Sequence, residues 1–119
     1  MKVQECSYQF AIRIIRMYKY LIEKKKEFVI SKQLLRSGTA VGALVRESQN
    51  AESKLDFIHK LAIAQKECDE SIYWLELLKD TGFITEKQFS SISSDATALL
   101  KLIKSIILTT KQKYVKPKL

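Results

Sequence analysis

From residue 58 to residue 78 the apolar positions are Ile58, Leu61, Ala64, Cys68, Ile72, Leu75 and Leu78, in unbroken steps of three and four. That period belongs to one face of an α-helix, because side chains on a strand alternate every two residues. Both ends are marked. Ser53 with Asp56 three residues on has the form of a capping box, and Gly82 stands where a glycine would stop the helix. Residues 53–80 are therefore predicted to form one helix roughly 40 Å long. A rod of that length with an apolar stripe must bury the stripe against other elements of similar length.

Three further segments supply them. Over about 4–25, Phe10, Ile14, Met17 and Leu21 form one helical stripe, and Tyr8, Ile12, Ile15 and Ile22 form a second that needs another cover. Ser31 is the expected N-cap of a helix over 31–47, with Leu34, Val41 and Val45 facing inward. Thr85 with Gln88 opens a helix over 85–113 that carries Phe89, Ile92, Ala96, Leu99, Ile103 and Ile106. Scarce glycine and proline agree with helices joined by short turns. At 119 residues the expectation is one domain, 1–119, that is all-α: an antiparallel up-down-up-down four-helix bundle. Apolar residues outside the inner stripes, notably Tyr73 and Trp74, point to a partner surface, with homo-oligomerisation the default.

Residues 36–53, RSGTAVGALVRESQNAES, pose the sharpest choice. Two glycines four apart could belong to a phosphate-cradling loop, yet such a loop follows a strand and usually continues with Gly-Lys-Ser/Thr. Here the flanking pattern is helical and no lysine follows, so Gly38 and Gly42, with Ala40 and Ala43, are expected to let two helices approach closely. Each glycine costs about 1 kcal/mol of helix propensity against alanine, which that packing must offset. Glu47, near the end of the same helix, faces the negative end of the macrodipole and calls for a cationic partner, with Arg36 and Arg46 as candidates alongside a cross-helix or cross-subunit residue.

Catalytic constellations are poorly supported. A di-metal bundle site uses two Glu-x-x-His pairs, whereas this chain has one histidine, His59, three residues after Asp56. Glu67 and Glu70 share a helix face and suit a salt bridge better than a metal. Cys6 and Cys68 have no metal-type spacing and are expected as free thiols. We expect no enzyme activity, no metal and no cofactor. No apolar run reaches the length of a membrane span, and MKVQECSYQF lacks the apolar core of a signal peptide, so a cytoplasmic location without membrane contact is expected.

The net charge of +8 is unevenly spread. Residues 45–82 hold five basic and eight acidic residues, a net of −3 that leaves +11 on the rest. The positive charge gathers in KYLIEKKKE (19–27) and in the lysines from Lys101 to Lys118, with no acid after Asp95. Such a distribution suits a polyanion, and Lys19, Lys24, Lys25, Lys26, Lys101, Lys104, Lys111 and Lys113 are the candidate RNA or DNA contacts. A solvated face with a solubilising tail is the bland alternative.

The two central blocks, QLLRSGTAVGALVRESQNAES and DFIHKLAIAQKECDESIYWLELL, resemble the bacterial four-helix bundle proteins encoded in intervening sequences of large-subunit ribosomal RNA genes. Arg36, Ser37, Gly38, Gly42 and Glu47 match the first block of that pattern; Phe57, Ala64, Glu67, Glu70, Tyr73, Trp74 and Leu75 match the second. Many members carry an asparagine before the acidic residue, where this chain has Ala43, Leu44, Val45 and Arg46. The resemblance implies an antiparallel bundle assembled into a homopentameric ring, with no established enzymatic activity. It also implies kinship with the accessory variability determinant of diversity-generating retroelements, a basic pentamer that binds nucleic acid and a reverse transcriptase. Two functions remain open at this point: a non-enzymatic oligomeric scaffold for RNA or DNA, or an adaptor that engages a partner protein.

Overall fold

The computed structural model describes residues 2–115. Its elements are α1 (Lys2–Lys24), α2 (Ile30–Ser48), α3 (Lys54–Asp80) and α4 (Glu86–Tyr114), with no strand among the described residues. The chain is a four-helix bundle. α1 and α3 each pack on both α2 and α4, which closes a ring of neighbours around one core, and the bundle measures 54 × 24 × 22 Å. Contact partners run in opposite order along packed helices. Tyr20 shares a surface hollow with Gln88, Arg13 reaches Ser91 and Asp95, and Cys6 lies near Leu99. Likewise Arg36 meets Glu67 and Glu70, while Glu47 meets Lys60.

The inner stripes follow the three-four spacing. Phe10, Ile14, Leu21, Leu34, Val41, Val45, Leu61, Cys68, Leu75, Leu78, Ile92, Leu99 and Ile103 are all buried. Met17, Ile72, Phe89 and Ile106 sit half-buried at the margins of their stripes. Ser71 takes the inner position beside Ile72, because steps of four and three from Ala64 run through Cys68, Ser71, Leu75 and Leu78. A buried hydroxyl needs partners. Ser71 Oγ lies 2.9 Å from the Glu67 carbonyl oxygen and 2.9 Å from Ser37 Oγ on α2.

Two helix ends match expectation closely. Thr85 and Gln88 form the complete reciprocal box, with Gln88 N–H donating to Thr85 Oγ1 at 3.1 Å and Thr85 N–H to Gln88 Oε1 at 2.8 Å. Gly82, at φ 83°, lets its own N–H reach the Lys79 carbonyl and Phe83 N–H reach the Leu78 carbonyl. At Ser53 the box is displaced by one residue: Ser53 Oγ accepts Asp56 N–H, while the Asp56 carboxylate accepts the N–H of Glu52.

The start of α2 departs from the sequence expectation. Ser31 lies inside the helix, fully buried, and donates its hydroxyl to the Glu27 carbonyl at 2.8 Å. Glu27 serves as the cap instead. Its carboxylate accepts the N–H groups of Val29, Ile30 and Ser31 at 3.2, 2.8 and 2.7 Å. Burial alone would raise the Glu27 pKa, but the amide donors of Ile30, Ser31 and Val29 outweigh it and hold the carboxyl below its ordinary value. The turn that delivers Glu27 puts Lys26 in the left-handed region, at φ 53°.

Candidate functional site

The residues of the two motif blocks converge on α2 and its neighbours. Gly38 faces Ile14 of α1: a Cβ there would lie 2.6, 2.7 and 2.9 Å from three Ile14 side-chain carbons. Gly42 faces α1 backbone, with the Ser7 carbonyl oxygen 3.3 Å from where its Cβ would stand. Both glycines therefore serve close helix approach, and no phosphate loop exists here. On the other flank Arg36 reaches across to α3, 2.7 Å from Glu67 and in direct contact with Glu70. Glu70 Oε2 also accepts the indole N–H of Trp74 at 3.0 Å, and Tyr73 meets the Trp74 ring edge-on at 5.0 Å between centroids. The Arg36 guanidinium is held more basic than usual, chiefly by its hydrogen bond to Glu67. Arg36, Glu67, Glu70, Trp74 and Tyr73 thus form one chain of contacts that ties α2 to α3. Tyr73 remains 54% exposed at the end of it.

Glu47 stands outside that cluster. Its partner is Lys60 of α3, 3.5 Å away, rather than Arg36 or Arg46. It lines a groove of about 860 Å³ between α1 and α2, with Tyr8, Thr39, Gly42, Ala43 and Arg46.

All eight candidate lysines are exposed, and none forms an ion pair among the described residues. They do not form one patch. Lys19, Lys24, Lys25 and Lys26 occupy the α1–α2 turn end, where Tyr20 lies near Gln88. Lys101, Lys104, Lys111 and Lys113 lie beyond Asp95 toward the other end, where Lys54 of α3 meets Tyr114. Lys116 and Lys118 lie outside the described residues.

Nothing among the described residues pairs a nucleophile with a base. His59 is exposed, and the Asp56 carboxylate three residues before it accepts a backbone amide. Cys6 and Cys68 are free thiols. Burial, reinforced by Asp69, pushes the Cys68 thiol up to about 12, and its Sγ lies 3.4 Å from the Ala96 carbonyl oxygen. Among the described residues no three His, Cys, Asp or Glu side chains gather as a metal ion would require. No helix is long and apolar enough to cross a membrane among those residues.

The model of the 23S rRNA-intervening sequence protein family matches residues 1–105. The chain belongs to that family. It is also similar to a solved protein of unknown function from the S23 ribosomal protein family of Bacteroides thetaiotaomicron. The two share 53% identity over 88% of this chain and 97% of the other, with a TM-score of 0.87. No curated protein matches the chain. The match to the intervening-sequence family takes in the whole Arg36–Trp74 cluster and both packing glycines. It also takes in Lys101 and Lys104, whereas Lys111 and Lys113 lie past its end.

Local sequence rules missed three elements. Glu27 is hidden in a lysine run and caps α2 from three residues before its first turn. Lys60 lies 13 residues from Glu47, on another helix. Arg13, which joins α1 to Asp95 and Ser91 of α4, reads as one of many surface charges until the helices are side by side.

Proposed function

We propose that this member of the 23S rRNA-intervening sequence family is a non-enzymatic, oligomeric scaffold that binds RNA or DNA through its lysines. One observation carries the proposal: eight lysines in the charge-rich runs are all exposed and unpaired among the described residues. Uncompensated positive charge of this kind draws a phosphate backbone by releasing its counterions and reads little sequence. The isolated His59 and the buried, high-pKa Cys68 support the non-enzymatic part.

The opposite order of contacts along neighbouring helices supports an antiparallel up-down-up-down arrangement, in keeping with connections of about five residues. The outer α1 stripe, with Tyr8 57% and Ile15 39% exposed, supports assembly into a homo-oligomer, with the pentameric ring as the expected form. Ring symmetry would repeat each lysine cluster in every subunit. Binding of labelled RNA and DNA, followed by fluorescence anisotropy across a salt series, tests the function. Affinity should fall steeply as salt rises; absence of binding at low salt, or indifference to salt, refutes the scaffold.

A second function, docking of a partner protein, rests on Tyr73 standing exposed beside Trp74. Light scattering of Trp74→Ala separates it from a subunit contact. A smaller assembly assigns the pair to the ring, and an unchanged mass leaves it available to a partner.

A further inference from the structure

The two lysine clusters differ in what surrounds them. At the turn end, Lys24, Lys25 and Lys26 share their run with Glu23 and Glu27, and Glu27 is held ionised inside the turn. The field of that cluster is therefore partly cancelled at short range.

α4 carries no such cancellation, since no acid follows Asp95. Lys101, Lys104, Leu108 and Lys111 step by three, four and three, which places them on one helical face, and all four are exposed. Lys101 and Lys111 are separated by about 15 Å of helix rise. One strand of a duplex presents about four phosphates over that length. At the tip Lys54 Nζ of α3 lies 4.4 Å above the Tyr114 ring and Lys113 Nζ 5.4 Å from it, so two more cations border the stripe. The carboxylates nearest this end are Glu52 in the α2–α3 turn, Asp56 on α3, which accepts the Glu52 N–H, and Glu5 on α1, which shares a hollow with Ala98, Leu99 and Leu102, so acids are fewer here than lysines. Exposed apolar side chains near this face are Leu108, Tyr114 and Val115, with Leu55 beside Lys54 at the tip, scattered among the lysines rather than gathered into the continuous apolar face that enters a lipid surface.

We propose that the α4 face formed by Lys101, Lys104 and Lys111, bordered by Lys54 and Lys113, is where a nucleic-acid backbone lies, and that the lysines of the α1–α2 turn are bystanders. This rests on the nucleic-acid function proposed above and assigns it to one of two ends. The partner is a phosphodiester strand held by charge, with Tyr114 the exposed aromatic near enough for a base to meet.

Anisotropy of labelled polyuridylate over a salt series tests it on three full-length proteins. These are the unaltered chain, K101Q/K104Q/K111Q, and K24Q/K25Q/K26Q. The α4 variant should lose about 2 to 3 units of log–log salt slope and at least about tenfold in affinity at low salt. The turn variant should stay within about twofold of the unaltered chain. Equal losses in both variants, or a larger loss in the turn variant, overturns the assignment while leaving nucleic-acid binding intact. No binding by the unaltered chain removes the underlying function itself. Phosphatidylserine vesicles supply the remaining arm: vesicle binding abolished in the α4 variant, with polyuridylate binding unchanged, assigns the face to lipid and overturns the proposal. All six substituted lysines are exposed, and matching thermal melts by circular dichroism identify any loss that comes from unfolding.

Discussion

Helix α2 and the seam between α1 and α4 are built on opposite terms. α2 is fixed on three counts: glycines seat it against α1, Arg36 and the Ser37–Ser71 pair join it to α3, and Glu27 holds its first turn. The α1–α4 seam has one cross-helix ion pair among the described residues, Arg13–Asp95, with side chains 36% and 52% exposed. Packing between α1 and α4 is the sparsest of the neighbouring helix pairs, with surface hollows of about 270 and 490 Å³ along it, whereas the groove of about 860 Å³ between α1 and α2 lies beside glycine-seated backbone. The motif block therefore secures one helix, and the bundle closes more loosely where its first and last helices meet. Stability should be concentrated at α2, and access at the seam.

The largest effects should come from the Gly38–Ile14 contact. A methyl group there collides with buried, β-branched Ile14, and overpacking of this kind costs about 1 to 3 kcal/mol. Improved helix propensity returns about 1 kcal/mol, so Gly38→Ala should destabilise by up to about 2 kcal/mol in urea unfolding. Ile14→Ala removes every carbon that clashes and by itself costs about 2 to 5 kcal/mol. The double variant should be more stable than the sum of the two losses predicts. Strict additivity would mean that Gly38 does not set the α1–α2 distance. Gly42→Ala, whose Cβ would have its three nearest neighbours in Ser7, the carbonyl oxygen first at 3.3 Å, should be near neutral because propensity offsets the tight contact.

Next in size is the anchor of α2. Glu27 has a lowered folded-state pKa, so its contribution is complete above the ordinary value of 4.5 and is lost as pH falls through the folded value. Glu27→Gln should cost about 1 kcal/mol near pH 7, the scale of a lost N-terminal cap, and progressively less as pH falls from 4.5 toward 3. Urea titrations at both pH values check this. A gap that persists undiminished in acid would show that the substituted amide fails for reasons of shape rather than charge.

These residues also show where sequence stops being legible. Stripe spacing, Gly82 and the Thr85–Gln88 box are local properties, and each lies in the structure where period and capping chemistry put it, save that Ser71 takes the inner place expected of Ile72. Ser31 fits the N-cap rule equally well, yet the Glu27 carboxylate four residues earlier accepts the amides of Val29, Ile30 and Ser31, so the helix starts sooner and the serine falls inside it. Arg36, Glu67 and Glu70 were recognisable as motif residues and as salt-bridge formers. Their mutual contact spans 31 and 34 residues and depends on how α2 registers against α3. The lysines are intermediate: their two runs are visible in the sequence, and only the packing of α1 beside α4 puts those runs at opposite ends of the bundle.

A smaller effect sharpens the contrast between the two ion pairs. Arg36 is half-exposed, but Glu67 is 17% exposed and Glu70 35%, and the guanidinium engages both. A double-mutant cycle on Arg36 and Glu67 should give a coupling of about 0.5 to 1 kcal/mol, with Arg13 and Asp95 at about 0.2 to 0.5 kcal/mol. Equal couplings would erase the difference between the seams.

The smallest effect leaves stability untouched and reads access directly. Cys68 is fully buried between α3 and α4, with its thiol pushed up to about 12, so almost none is thiolate at neutral pH. Cys6 is half-buried and lines the 490 Å³ hollow of the α1–α4 seam with Phe10, Leu99 and Leu102. Native protein treated with a maleimide should gain one label, on Cys6, and denatured protein two. The rate at Cys6 measures how readily the seam admits a reagent, and Arg13→Ala, which removes the cross-helix ion pair there, should raise it. Arg36→Ala should leave it unchanged, because that residue acts on the far side of the bundle. Labelling of Cys68 as fast as Cys6 would mean that the bundle opens as a whole, and the looseness assigned to the seam would belong to every helix.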